Sequence, residues 1–270
     1  NDKFNYYLGL NKFLTDGISA MNDNDENDQY KNDNIVANIG YKINENLKIQ
    51  NSFRIADTFY EYDAVNKSYT DYNDSTDNLE LSASLKLIHE KNKFKNTFSY
   101  NKLHIERFTI DYAEDKTNYF GYRDALSFLG EYNFNLDNKV VYGIDGEFDA
   151  SRYPKDWSGG DMREHDEGII SQYFDFQVRP SEKLYSTFGL RSDDHTTVGR
   201  KTSGRITAAY LLNGNSKIRS SFGAGVRFPA MYDYKYGSST IVDKGATLEQ
   251  LQSERGLSFD LGYDTFLDNL

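Results

Sequence analysis

Carboxylates are densest in NDNDENDQYKND, residues 22–33, where Asp23, Asp25, Glu26, Asp28 and Asp33 stand among asparagine carbonyls. A second acidic stretch holds Asp63, Asp71, Asp74 and Asp77. Hard oxygen donors at this density in flexible loops suit calcium, which collects about six to eight oxygens. The EF-hand pattern is not met, because no glycine takes the sixth position and no glutamate closes the loop. A solvated acidic loop would have the same composition, so both readings stand at this point.

Other chemistry is thinly supported. His89, His104, His165 and His195 show no HExxH or comparable ligand spacing, and are expected as solvent-exposed loop or strand histidines. No G-x-S-x-G elbow is present, and no nucleophile–base pair is marked by spacing, so no catalytic residue is assigned and the chain reads as a non-enzyme. The absence of cysteine excludes a disulfide scaffold and thiolate metal sites. A net charge of −11 argues against nucleic acid as a partner, since a basic surface would be needed to displace counterions. Trp157, at the tip of DWSGGD, and Tyr232, Tyr234 and Tyr236 are loop aromatics that a small-molecule ligand could touch.

The elements that must carry these residues are strands. In VVYGIDGEFDA (140–150), Val140, Tyr142, Ile144, Gly146 and Phe148 fall on one face, while Asp145, Glu147 and Asp149 fall on the other. The same period of two recurs at Ile35–Ile43, Leu79–Leu87, Leu126–Phe134, Ile170–Val178 and Ile218–Phe228, and marks antiparallel strands with unlike faces. Composition agrees: there are 22 Tyr and 18 Phe, which favour pleated surfaces, and only three prolines, which would interrupt a ladder. Short polar turns are expected at 44–46, 90–93, 135–138, 180–183 and 213–215, alternating with long loops at 22–33, 61–77, 111–118, 151–166 and 229–255. About twelve strands result, most of about ten residues or more, which is longer than usual in soluble sheets.

Alternation alone does not say which face is wet. A soluble sandwich would bury the apolar set between two layers, whereas a membrane barrel turns it toward lipid and keeps the polar set inside. Strand length, the short-turn and long-loop asymmetry, and Tyr and Phe near strand ends favour the barrel. The expected fold is therefore all-β: an antiparallel up-and-down transmembrane β-barrel in the bacterial outer membrane, with membrane lipid against its apolar face. A self-contained barrel of about twelve strands, acting as a passive channel or outer-membrane enzyme, is the alternative, and a soluble extracellular sheet module is a third.

Three stretches carry a family resemblance: GLRSDDHTTVGRKTSG (189–204), SSFGAGVRFPAMYDYKYG (220–237) and LQSERGLSFDLGYD (251–264). They resemble the barrel of TonB-dependent outer-membrane receptors. In that family a strand ending in a basic residue, an aromatic or small residue and proline, here Arg227, Phe228 and Pro229, enters a long extracellular loop. That loop closes on L-x-P-E-x-S, here Leu251 to Gly256 with Ser253 and Gly256 as departures. Cobalamin-transporting members are the most similar, through ENDQY (26–30) and the strand 47–62 leading to Tyr62, Asp63 and Ala64. The resemblance implies TonB-dependent uptake of a scarce ligand, cobalamin or a siderophore or metal chelate, powered by the TonB–ExbB–ExbD complex acting on a plug domain. It also implies calcium held by Glu26, Asp28 and Asp63, with Asp74, Asp71 and Asp77 following less directly. Residues 1–270 are expected to be one partial barrel domain, about twelve strands of a barrel of about 22, without the plug or the C-terminal strands.

Overall fold

The computed structural model describes residues 3–19, 27–63, 73–110, 116–153, 163–230 and 251–266. Twelve strands carry these residues: β1 Phe4–Thr15, β2 Tyr30–Lys42, β3 Leu47–Asp63, β4 Asn73–Lys91, β5 Phe94–Ile110, β6 Lys116–Asn133, β7 Lys139–Tyr153, β8 Arg163–Ser181, β9 Leu184–His195, β10 Gly199–Leu211, β11 Ser216–Arg227 and β12 Glu254–Thr265. They form one sheet in sequence order, each strand beside the next. The chain divides into two compact units. One comprises Asn1–Leu87, Ser99–Leu126 and Phe148–Asp166; the other comprises Ile88–Phe98, Ser127–Glu147 and Glu167–Leu270. The expected all-β antiparallel fold is present, and no helix occurs among the described residues.

Asparagines build the tight turns. Asn44 Oδ1 accepts the Asn46 N–H at 2.9 Å, Asn135 Oδ1 accepts from Asp137 and Asn138, and Asn213 Oδ1 accepts from Asn215. Each side chain stands in for a backbone acceptor and closes the turn locally. The β4–β5 turn instead places Asn92 at φ 56°, a left-handed conformation that asparagine tolerates.

Burial is inverted relative to a soluble protein. Ala56 is the single buried apolar residue among those described, whereas Asp74, Thr76, Ser151, Ser171, Asp193, His195 and Ser216 are all buried. Large apolar side chains lie exposed in cross-strand rows. In the first unit, Leu10, Ile35 and Ile55 are directly opposed across β1–β3. In the second, Phe176, Phe188, Ile206, Phe222 and Phe259 form one row across β8–β12. Apolar side chains so arrayed suit a hydrocarbon neighbour, because among the described residues no second layer covers them. Along β2 and the residue that follows it, the outward apolar residues run from Ile35 to Ile43, about nine residues, within the ~9–11 that a tilted strand needs to cross a bilayer.

Three details differ from expectation. The long loops are shorter than the acidic composition suggests, because Asp33, Asp63, Asp74 and Asp77 all lie within strands. Hydrogen-bond ladders demand no particular side chain, so strands run on through polar sequence. Residues 196–198 form a three-residue link between β9 and β10 on the same side of the sheet as the long connections, closed with Gly199 at φ +73°. Pro180 is the penultimate residue of β8, where the register shifts between Val178 and Ser181, rather than in a turn proper.

Close approach of β7 to its neighbours requires one glycine. A Cβ at Gly143 would stand 2.5 Å from the Tyr173 ring and 2.6 Å from the Phe128 carbonyl oxygen. The ring can move, but the backbone oxygen cannot without disturbing the ladder. Gly143→Ala is therefore expected to cost about 1–3 kcal/mol, read as a lower urea midpoint for unfolding from vesicles. An unchanged midpoint would show that β6 and β7 are not held this tightly.

Candidate functional site

Of the predicted metal ligands, Asp28, Asp63 and Asp74 fall where β2–β4 meet the long connections. Asp28 precedes β2, Asp63 ends β3 and Asp74 is the second residue of β4. Ser19 Oγ donates to Asp63 at 3.1 Å, which ties the β1–β2 connection to the end of β3. Beside Asp28, the Gln29 N–H donates to Glu61 at 2.9 Å, and the Glu61 N–H donates to the Gln29 carbonyl. Gly17, at φ +69°, packs so closely on the Asp28 carbonyl that any side chain there would run into it. Asp28 and Asp63 thus belong to one tied segment, with Asp74 buried on β4. Among the described residues no three acidic or histidine side chains stand close enough to hold a metal. Glu26, Asp71, Trp157, Tyr232, Tyr234 and Tyr236 lie outside the described residues. Asp33 points to the apolar face instead, where Lys12 and Lys31 reach it at 3.1 and 3.4 Å.

The opposite face is a wall of paired charges that sequence reasoning anticipated only as polar. In the first unit Arg123 clamps Asp149 with two 2.6 Å bonds, and Arg54 donates to Glu80 at 2.9 Å. A fork-to-fork arginine–carboxylate pair adds geometric definition as well as attraction. In the second unit Arg191 Nε donates to Asp193 at 2.7 Å, its Nη2 donates to Ser171 Oγ at 2.7 Å, and its Nη1 reaches Asp145 at 3.5 Å. Ser171 Oγ donates in turn to Asp193 at 2.6 Å, and the guanidinium lies 5.4 Å from the Tyr173 ring centre. Arg219 serves Asp264 and Asp260, and Arg227 serves Glu254. Such a wall presents hydrogen-bonding surface without a large excess of either sign, which suits contact with water or a polar body.

His195 departs from the expected exposure. It is 2% exposed, stacked on Phe228 at 4.8 Å between ring centres, and its Nδ1 accepts the N–H groups of Thr197 and Val198. Those two donors assign the proton to Nε2, which faces Glu167 at 3.8 Å. The ring holds the β9–β10 link and the chain leaving β11. The stretch DDHTTVG holds a signal, since a polar strand end is followed after three residues by Gly199, whose left-handed conformation opens β10.

Rings ladder the apolar face of the second unit toward the tight turns: Phe94 with Tyr132 at 4.6 Å, Tyr132 with Phe134 at 4.8 Å, and Phe134 with Phe176 at 5.9 Å. In the first unit the apolar rows end toward the long connections in charge pairs, Lys102–Asp124 at 3.3 Å and Arg152–Asp166 at 2.6 Å. Aromatic margins and charged margins of this kind, bordering apolar rows, are features of membrane-embedded strand surfaces.

No curated protein matches the sequence. Solved structures with the same fold include the siderophore receptor PirA of Acinetobacter baumannii, with a TM-score of 0.74 at 14% identity over 99% of this chain and 46% of that one. A mutant of the ferric enterobactin receptor PfeA of Pseudomonas aeruginosa gives 0.75 at 12% identity, covering 99% and 47%. The FrpB iron transporter of Neisseria meningitidis gives 0.75 at 11% identity, covering 98% and 48%. The chain thus spans less than half the length of each of these structures. The family model for TonB dependent receptor-like β-barrels matches residues 2–270, and the chain belongs to that family.

Proposed function

We propose that this chain is the membrane-spanning portion of an outer-membrane importer for a scarce ligand, cobalamin or a siderophore or metal chelate, driven by the TonB–ExbB–ExbD complex. The observation that carries this reading is the inverted burial: exposed apolar rows on one face and a charge-paired wall on the other, in a chain of this receptor family. The chelate class draws support from the siderophore and iron receptors that share the fold. Cobalamin draws it from ENDQY and the strand leading to Asp63. The protein breaks no bond; its residues bind, position and line a path.

Under this reading Glu26, Asp28 and Asp63, with Asp74, hold calcium and order the connections for the ligand, while Trp157, Tyr232, Tyr234 and Tyr236 meet the ligand itself. The donor set fits, being carboxylates and backbone carbonyls, the hard oxygens that calcium takes. Two measurements on the full polypeptide test the reading. Uptake of labelled cobalamin and of a ferric siderophore by cells expressing it should exceed that of non-expressing cells and collapse with an uncoupler. Uptake of both that resists the uncoupler would mean a passive pore. Calcium should tighten ligand binding by about tenfold or more, equal to ~1.4 kcal/mol, and the triple variant E26A/D28A/D63A should lose that gain. If chelation of calcium leaves wild-type affinity unchanged, the metal proposal is discarded.

A further inference from the structure

The apolar face of the second unit is interrupted by a cleft of about 380 Å³. Phe128, Tyr142 and Ile144 form one wall, Phe174 and Leu190 the other, and Gly143 contributes only backbone. Two polar residues, Gln172 and Ser192, line the same cleft and are directly opposed across β8 and β9. Thr202 of β10 continues their row. One row nearer the long connections, Arg200 pairs with Asp194 at 2.8 Å, and both are exposed.

These polar residues are out of place by the logic of their surroundings. Gln172 and Ser192 share a face with Phe174 and Leu190, directly beside them in register. Among the described residues, neither has a side-chain hydrogen-bond partner. An amide and a hydroxyl bordering hydrocarbon are costly unless something outside the chain bonds them. Water does not fit the apolar walls. An amphipathic molecule fits both parts at once, with hydrocarbon between the walls and a carbonyl against the polar pair. The volume corresponds to about a dozen methylenes if each takes roughly the ~30 Å³ of a water molecule.

We propose that this cleft is a binding site for one acyl lipid of the membrane leaflet nearest the long connections. Its chain lies between Ile144 and Leu190. The ester or amide carbonyl at the chain's head accepts hydrogen bonds from the Gln172 amide and the Ser192 hydroxyl, and its polar headgroup lies beside Arg200 and Asp194. The site rests on the reading of this face as lipid-facing, and it adds a defined lipid position to an otherwise unspecific surface.

The test uses the full polypeptide in octyl glucoside micelles with added dimyristoylphosphatidylglycerol, read by native mass spectrometry. Wild-type protein should retain one lipid through detergent stripping that removes all lipid from Q172L/S192V and from Ile144→Trp, which fills the cleft. Equal retention by wild type and both variants would overturn the proposal, as would a lipid-free dimer in which a second copy covers the cleft. The underlying reading is checked separately in brominated-lipid vesicles by the fluorescence quenching that Phe222→Trp adds over the wild type. Quenching there with no lipid retained would reject the site while sparing the lipid-facing surface. Absence of quenching would reject the surface assignment, and the site with it.

Discussion

Arginine in place of Ile206 is expected to lower stability by about 2–4 kcal/mol, whereas arginine in place of Thr207 costs less than about 1 kcal/mol. The two residues are neighbours on β10 and point to opposite faces. Ile206 is 53% exposed, yet Phe188 and Phe222 stand directly opposite it on the flanking strands. A guanidinium there must sit among hydrocarbon if lipid covers the row. Thr207 lies opposite Ser221, whose hydroxyl bonds Asp260, so an arginine on that face meets a carboxylate and polar neighbours. Urea unfolding of both variants refolded into phosphatidylcholine vesicles gives the comparison directly. If water rather than lipid covered the row, the order would change, because exposed Ile206 would then tolerate charge with little loss. Equal costs, or a larger cost for Thr207→Arg, would refute lipid contact along this row.

How much of this was legible in the sequence varied with the range of the interaction. The face of each residue follows from period two, so the sorting of Ile144 and Phe148 from Asp145 and Asp149 needed no partner. Tight turns were equally local, since Asn44, Asn135 and Asn213 bond residues only two or three positions away. Strand ends were less legible. Asp33, Asp63, Asp74 and Asp77 carry the composition of loops, but once a strand passes the hydrocarbon its side chains are free to be charged while the ladder continues. Partners across the sheet were not legible at all. Arg191 finds Asp145 across 46 positions and Arg123 finds Asp149 across 26, distances that only the register sets. His195 was misjudged for the same reason, since the ring that buries it, Phe228, belongs to β11's exit rather than to its own hairpin.

The Arg191 cluster should behave as a unit with unequal members. Asp193 is the buried partner, 7% exposed, and one of its oxygens takes both the Ser171 hydroxyl and the Arg191 Nε–H. Arg191 is more open and has Asp145 as a second carboxylate. Arg191→Leu strands a carboxylate that water reaches poorly, and is expected to cost about 2–3 kcal/mol after allowance for the partial exposure of the arginine. Asp193→Leu leaves a cation that can turn toward Asp145 and water, with a smaller cost of about 1 kcal/mol. The double variant should cost about 1–2 kcal/mol less than the sum, because neither charge is then left behind. Because the shared oxygen is enclosed, the coupling should change little between low and physiological salt, unlike that of the exposed Arg227–Glu254 pair. A double-mutant cycle by urea unfolding at two salt concentrations measures each of these quantities. Additive losses would mean that the contacts around Asp193 are incidental, and a costlier Asp193→Leu would mean that the cation, not the carboxylate, is the member that solvent cannot rescue.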